Sequence, residues 1–299
     1  MKKITQHAEF PVLVLVVASF FWGLSWYPLK SLNQMGFDGV VLIFFAYGLL
    51  SLVFLPLLFL QRSYLTTHIK PWLLIFILGG GANFAFNYAL IYGEIIRVMV
   101  LFYLLPLWGV LGGKFFLHEY VDAKGWLAAG LAISGAFLIV GGFQVFESPP
   151  SWIDFVALLS GFLFAMNNIV FRAHQDFPMI PKLSALFIGT AVMSGLLFAI
   201  QGAEIPQDIS LPVWQLLAFY GLVWLLISNY GSQWGVTHMP ASRSSIIIIT
   251  ELVVAVVSAV LIANETINFI EGIGGLLIVT AAVLEALRDT GSESKKPIK

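Results

Sequence analysis

The side chain with the most distinctive chemistry in this sequence is Glu251, a carboxyl group about ten residues from either end of the apolar segment 241–262. In a membrane-spanning helix, an acidic side chain at this depth costs about 2.5–3.5 kcal/mol on insertion scales. A carboxyl group in that position can exchange a proton or bind a cationic amine. It can also remain protonated and donate one hydrogen bond between helices. The first two uses predict a functional site, and the third predicts a packing role.

Two arginines stand near the starts of apolar segments: Arg97 in segment 96–116, and Arg243 in the segment that also contains Glu251. A long basic side chain near a helix end can extend to the membrane interface and have no further role. It can also act as a gate by pairing with a carboxylate, or bind the carboxylate of a substrate. Arg243 lies about 12 Å along a helix from Glu251, so any ion-pair partner must come from another helix. The sequence leaves gating and interfacial anchoring open.

Neutral polar and aromatic residues are grouped in helical register or at corresponding places in different segments. These groups are Trp22, Ser25 and Trp26; Asn83 and Asn87; Asn167 and Asn168; and Trp224 and Ser228. Residues four apart share a helix face, and an amide that faced lipid would lack a hydrogen-bond partner, so we expect these faces to point inward. They either join helices through hydrogen bonds, each typically worth under about 1 kcal/mol, or line a cavity for an amphipathic metabolite.

Composition and segment length predict the elements that position these residues. The chain is 59% hydrophobic and only 10% charged, whereas soluble domains carry about 25% charged residues. Segments long enough for a bilayer core, which needs roughly 20 apolar helical residues, lie at 10–29, 39–60, 72–92, 96–116, 125–143, 153–171, 183–200, 213–236, 241–262 and 269–287. Because runs of this length without strict alternation favour helices over a barrel, the sequence predicts an all-α integral membrane protein with ten transmembrane helices, numbered here as spans 1–10.

The distribution of positive charge predicts the orientation. With the amino terminus in the cytoplasm, thirteen of the fifteen Lys and Arg residues fall in cytoplasmic segments, and only Lys30 and Arg97 lie on the opposite side. Retained positive charge marks the cytoplasmic face. We therefore expect a multi-pass protein of the inner (plasma) membrane with both termini in the cytoplasm. The polar tail, residues 290–299, is expected to be disordered and cytoplasmic.

The chain contains a weak internal repeat. When Glu119 is aligned with Glu265, each acidic residue follows an arginine by 22 positions, and the segment 22–30 matches 164–172 in its aromatic, small, polar and terminal basic positions. Because each repeat contains five spans, an odd number, the second must be inverted relative to the first. We expect repeats at 10–143 and 153–288, an architecture found chiefly in transporters.

The motifs in these repeats resemble those of the drug/metabolite transporter superfamily, EamA type. The residues that carry the resemblance are Phe21-Trp22-Gly23-Leu24-Ser25 with Lys30, Leu105-Pro106, Leu117-His118-Glu119 with Gly125 and Gly130, Glu251-Leu252, and Asn264-Glu265-Thr266. The resemblance implies two inverted five-helix repeats, export or exchange of small metabolites, and a central cavity away from spans 5 and 10. Leu252 departs from the proline that many second repeats carry after the glutamate, which affects the expected bend of span 9.

The sequence does not favour an enzyme. It contains no paired-histidine zinc motif, no phosphate-binding glycine loop, no nucleophile elbow and no cysteine. We therefore expect no catalytic residue, no metal, no cofactor and no nucleic-acid partner.

The favoured hypothesis is a secondary transporter that exports small amino-acid-like, amphipathic metabolites or drugs by alternating access. The expected partners are the substrate, the lipid bilayer and protons exchanged through Glu251, in a monomer or weak homodimer. An uncoupled facilitator of diffusion and a non-transporting membrane scaffold are the alternatives.

Overall fold

The computed structural model describes residues 9–93, 95–139, 142–143, 151–263 and 269–287. The helices in these ranges are α1 (Phe10–Gly23), α2 (Trp26–Gln34), α3 (Gly39–Leu60), α4 (Ser63–Tyr92), α5 (Ile95–Phe102), α6 (Leu105–Phe116), α7 (Ala123–Ile139), α8 (Trp152–Ala173), α9 (Met179–Gln201), α10 (Leu211–Phe219), α11 (Leu226–Thr237), α12 (Ala241–Ile248), α13 (Thr250–Ala263) and α14 (Phe269–Ala286), with a π-helix at Tyr220–Leu225 between α10 and α11. The predicted tail at 290–299 lies outside the described residues.

The helices confirm the predicted fold class. Seven helices or helix pairs are long and apolar enough to cross a membrane: Phe10–Gln34, Gly39–Leu60, Ser63–Tyr92, Trp152–Ala173, Met179–Gln201, Leu211–Thr237 and Ala241–Ile262. Shorter apolar helices, α7 and α14, stand where spans 5 and 10 are predicted, and α5 with α6 occupies span 4. The protein is an all-α membrane protein, and every predicted span coincides with a helical segment.

The packing of the spans has the symmetry expected of a repeat. Span 1 packs against spans 8 and 9, and its counterpart in the second half, span 6, packs against spans 3 and 4. Spans 2 and 7, 4 and 9, and 5 and 10 each pack against their own counterpart. The same set of contacts results when every span number is replaced by that of its counterpart, five places away in the chain. A two-fold relation between the halves requires this.

The described connections between spans lie at two opposite ends of the bundle. His68 contacts Asp176, and Glu119 contacts both Arg172 and the start of α12. These contacts gather the α3–α4, α6–α7, α8–α9 and α11–α12 connections at one end, which we call the Glu119 end. The opposite end, which carries the α2–α3 and α9–α10 connections, is called the Trp26 end.

Three spans are interrupted where they approach the centre of the bundle. Span 1 breaks at Leu24 and Ser25, span 4 at Tyr103 and Leu104, and span 9 at Ile249. The break in span 4 precedes Leu105-Pro106, and a proline at the start of a helix is favourable because it lacks an N–H group. Span 9 breaks at the corresponding place although Leu252 stands where a proline was expected. Proline is therefore not required for this interruption.

Candidate functional site

A cavity lies between the two halves, on the side toward the Trp26 end. Its empty space is about 690 Å³, open solvent at the mouth included. The polar side chains in its wall are Ser25, Asn83, Asn87, Tyr103, Tyr220 and Glu251, and the aromatic ones include Trp22, Trp26, Phe86, Phe102 and Phe164. The breaks in spans 1, 4 and 9 all lie at or next to this wall, so irregular backbone occurs where it borders a cavity, as in other membrane proteins.

Glu251 is the acidic group of this cavity. It lies in the first turn of α13, two residues after the break in span 9, and its side chain is 7% exposed. Tyr103 lies beside Glu251 in the cavity wall, close enough for the hydroxyl group and the carboxyl group to interact. Tyr103 belongs to the break in span 4, so the paired residues come from corresponding interruptions of the two repeats. Among the described residues of the wall, Glu251 provides the carboxyl group, and it lies at mid-bundle.

The break in span 1 is held by a tryptophan from span 8. Trp224 lies in the π-helix, and its indole N–H donates to the Phe21 carbonyl and to Ser25 Oγ, both at 2.9 Å. Ser25 Oγ donates to the Phe21 carbonyl at 2.9 Å. Ser228 donates to the Trp224 carbonyl within its own helix. Trp224 therefore holds the break in span 1. Ser25 belongs to the described wall of the cavity, whereas Trp224 and Ser228 do not.

Span 1 also contacts span 9 on both sides of its break. The Trp26 indole N–H donates to Ser258 Oγ at 2.9 Å. On the other side, Gly23 packs so closely that a Cβ atom there would lie 2.5 Å from the Glu251 carbonyl oxygen. A larger residue cannot occupy this position without moving span 9, so the small size of Gly23 allows spans 1 and 9 to approach closely beside Glu251.

Asn167 and Asn168 lie one helical turn away from the cavity, toward the Glu119 end. The Asn167 amide donates to Gln233 Oε1 at 3.2 Å, and the Gln233 amide donates to Asn168 Oδ1 at 3.3 Å. All three side chains are buried. The structure therefore does not place Asn167 and Asn168 in the cavity wall with Asn83 and Asn87, although they were predicted together.

The Glu119 end is closed by a partly buried ionic cluster. Glu119 Oε2 accepts a hydrogen bond from the Ala241 N–H at 2.8 Å, and Glu119 Oε1 lies 3.4 Å from Arg172 Nε. Arg172 Nη1 also donates to the Thr237 carbonyl at 3.1 Å. Burial raises the pKa of Glu119, while the Ala241 N–H and the Arg172 guanidinium act in the opposite direction. The cluster joins the α6–α7 connection to spans 6, 8 and 9.

Two arginines, Arg97 and Arg243, were predicted as gating candidates. Arg243 lies in the first turn of α12 at the Glu119 end and is only 4% exposed. A buried guanidinium does not fit a side chain that extends to the membrane interface. The backbone of Arg97 belongs to α5, but its side chain lies outside the described residues.

Sequence reasoning missed several residues of this region. Tyr103 and Tyr220 were not distinguished from the other aromatics of an aromatic-rich chain, because only the tertiary fold brings Tyr103 to Glu251. Gln233 was also missed, although the repeat points to it. It carries a sequence signal, because it stands in the second repeat where Asn87 stands in the first.

Comparison with known proteins adds the family. The sequence model of the EamA-like transporter family matches the chain twice, at residues 9–141 and 151–286. No curated protein matches the chain significantly. A protein known from a crystal structure is similar over 93% of this chain and 97% of its own, with a TM-score of 0.74 and 16% identity; at that identity the likeness shows the fold alone. Because the two family matches cover most of the sequence, the chain belongs to the EamA-like transporter family of membrane transporters.

Proposed function

We propose that this transporter exports small amphipathic metabolites or drugs of amino-acid-like chemistry by alternating access through the cavity between its two halves. The observation that carries the proposal is the placement of Glu251, a buried carboxyl group facing a wall of aromatic rings and amides. Trp22 and Trp26 offer apolar surface to a side chain, and the amides of Asn83 and Asn87 offer hydrogen bonds to polar groups. A substrate amine would pair with Glu251.

Glu251 is also the proposed coupling group. A carboxyl group that can bind either a proton or a substrate amine, but not both, links release of one to binding of the other. The favoured coupling is therefore exchange of protons for substrate. Tyr103 supports this role because its hydroxyl group can hydrogen-bond the carboxylate after the proton leaves.

The direction of transport rests on the proposed orientation. The excess of Lys and Arg at the Glu119 end supports placing that end in the cytoplasm, and the proposal therefore puts the cavity at the opposite face of the inner membrane. In this state the ionic cluster closes the cytoplasmic end, and the cavity lies where a substrate would be released. Export then requires a second state in which the Glu119 end opens.

The proposal is tested by comparing metabolites in the medium of cells that express wild type, Glu251→Gln, Glu204→Gln or an empty vector, at equal protein levels in the membrane. Glu204 is the matched control because it is an exposed carboxylate in the α9–α10 connection. We expect at least one compound to accumulate outside with wild type and Glu204→Gln only. Equal media for wild type and empty vector would contradict export, and full export by Glu251→Gln would contradict the role of the carboxyl group.

A further inference from the structure

Four buried amides form a cluster between the cavity and the Glu119 end. They are Asn167 and Asn168 of span 6 and Asn229 and Gln233 of span 8, and we call them the inner amide cluster. Their exposed fractions are 0%, 5%, 2% and 1%. Gln233 connects the two spans through its hydrogen bonds with Asn167 and Asn168.

The repeat relates this cluster to the wall of the cavity. In the register that aligns Glu119 with Glu265, Asn83 corresponds to Asn229 and Asn87 corresponds to Gln233. In the register that aligns segment 22–30 with 164–172, the two cavity residues Ser25 and Trp26 correspond to Asn167 and Asn168. Each member of the cluster therefore corresponds in the repeat to a polar or aromatic residue of the cavity wall. The cluster lies toward the Glu119 end and the cavity lies toward the Trp26 end.

The cluster is also incompletely satisfied. Among the described residues, Asn167 Oδ1 and Asn83 Nδ2 are buried atoms without a hydrogen-bond partner. Asn167 Oδ1 lies against Gly79, one turn before Asn83 on span 3. Buried amide groups usually find partners. The donor on Asn83 and the acceptor on Asn167 therefore provide hydrogen-bonding capacity that the closed conformation does not use.

The contacts that close the Glu119 end lie one turn beyond the cluster. Arg172 follows Asn168 by four residues and Thr237 follows Gln233 by four residues, and the Arg172–Thr237 hydrogen bond joins the same two spans. Glu119 ties Arg172 to α12. Release of these contacts would allow spans 6 and 8 to separate at the point where Gln233 now joins them.

We propose that the inner amide cluster is a second half of the substrate site, closed in this conformation and opened to water when the Glu119 end opens. There Gln233, Asn167 and Asn168 exchange their mutual hydrogen bonds for bonds to the polar groups of an amino-acid-like compound. This proposal rests on the proposed function and adds residues to its site.

The two halves of the site differ in charge. The residue that corresponds to Glu251 in the first repeat is Leu105, and the one that corresponds to Tyr103 is Ile249. The inner amide cluster therefore offers donors and acceptors without a carboxyl group of its own. It suits the neutral and zwitterionic polar groups of a compound whose amine is held by Glu251 at mid-bundle.

The absence of cysteine from the sequence permits a direct test. Gln233→Cys is treated in membrane vesicles with a membrane-impermeant methanethiosulfonate. Lys124→Cys, at an exposed position of the Glu119 end, identifies the accessible side, and Ile227→Cys, on the outer face of span 8 and 38% exposed, controls for reaction from lipid. Each variant is also combined with Glu119→Gln, which weakens the ionic cluster.

We expect Gln233→Cys to react from the side on which Lys124→Cys reacts, more slowly than Lys124→Cys, and severalfold faster with Glu119→Gln. Ile227→Cys should stay unlabelled. A mixture of the nineteen amino acids other than cysteine, whose thiol would consume the reagent, should slow the labelling of Gln233→Cys. Labelling that the mixture leaves unchanged would overturn the binding role.

An unlabelled Gln233→Cys in both backgrounds, with Lys124→Cys labelled, would overturn the opening of the cluster. If Gln233→Cys does not fold, Asn168→Cys carries the same expectation. Labelling needs no identified substrate and no export, so failure of the Glu251→Gln export test leaves this outcome readable on its own.

Discussion

Replacing Gly23 by alanine should disturb the cavity with little damage to the fold. The added Cβ would lie 2.5 Å from the Glu251 carbonyl oxygen and 2.7 Å from Val254 Cβ, against an ordinary contact distance of at least 3.4 Å. The backbone oxygen cannot rotate away, so spans 1 and 9 must separate by about 0.9 Å. Overpacking of this kind costs about 1–3 kcal/mol, reduced by up to about 1 kcal/mol because alanine favours a helix over glycine.

After the full reduction, the remaining cost of up to about 2 kcal/mol is small enough for the variant to fold. This cost falls on the close contact between spans 1 and 9 beside Glu251, where the substrate is proposed to bind. If about 1.4 kcal/mol of it is lost from substrate binding, the affinity falls tenfold. We therefore expect export to fall about tenfold. The assay is the rate at which the compound found in wild-type medium accumulates, per amount of folded protein in the membrane.

Gly48→Ala is the matched control. Gly48 lies in α3, and a Cβ atom there would meet nothing within 4 Å. This variant should export like wild type and be at least as stable to heat. Wild-type export by Gly23→Ala would refute the argument that this close contact positions the site, and equal losses in both variants would indicate a general effect of the substitution on the protein.

Further predictions concern the contacts between the halves and the closed end. Trp224→Phe keeps an aromatic ring but loses two hydrogen bonds to span 1, so thermal unfolding should show a loss of about 1–2 kcal/mol; an unchanged unfolding temperature would contradict it. Burial raises the pKa of Glu119, so its contribution to folding stability is present at low pH and lost as pH rises through that raised pKa; the unfolding temperature of Glu119→Gln should fall less over this range. A Cβ atom on Gly189 would collide with the Phe76 carbonyl oxygen, whereas one on Gly130 would meet nothing, so Gly189→Ala should lower the unfolding temperature and Gly130→Ala should not.

The number and position of the spans were predictable because the bilayer imposes them. Lipid requires apolar helices of a minimum length, and this constraint acts on each segment alone. The interruption of span 9 at Ile249 was less predictable, since Leu252 provides no proline to mark it. It depends on how α12 and α13 pack against their neighbours, which no local pattern encodes.

The candidate site was predictable in part. The cost of placing Glu251 in an apolar segment drew attention to it without any knowledge of the fold, and the amide pair Asn83 and Asn87 followed from helical spacing. Asn167 and Asn168 look equivalent to that pair in sequence, yet they bond to Gln233 because span 8 faces them. Tertiary contacts decide which amides line the same wall. In the sequence, the register of the repeat is the only hint of these contacts.

The most direct test of the account is transport of the exported compound by wild type and Glu251→Gln in reconstituted vesicles under an imposed pH difference. We predict that the gradient drives accumulation by wild type and that reversing the gradient reverses it. Glu251→Gln should no longer respond to the gradient. Transport by wild type that is independent of the pH difference, or a response retained by Glu251→Gln, would contradict the claim that this carboxyl group couples protons to substrate.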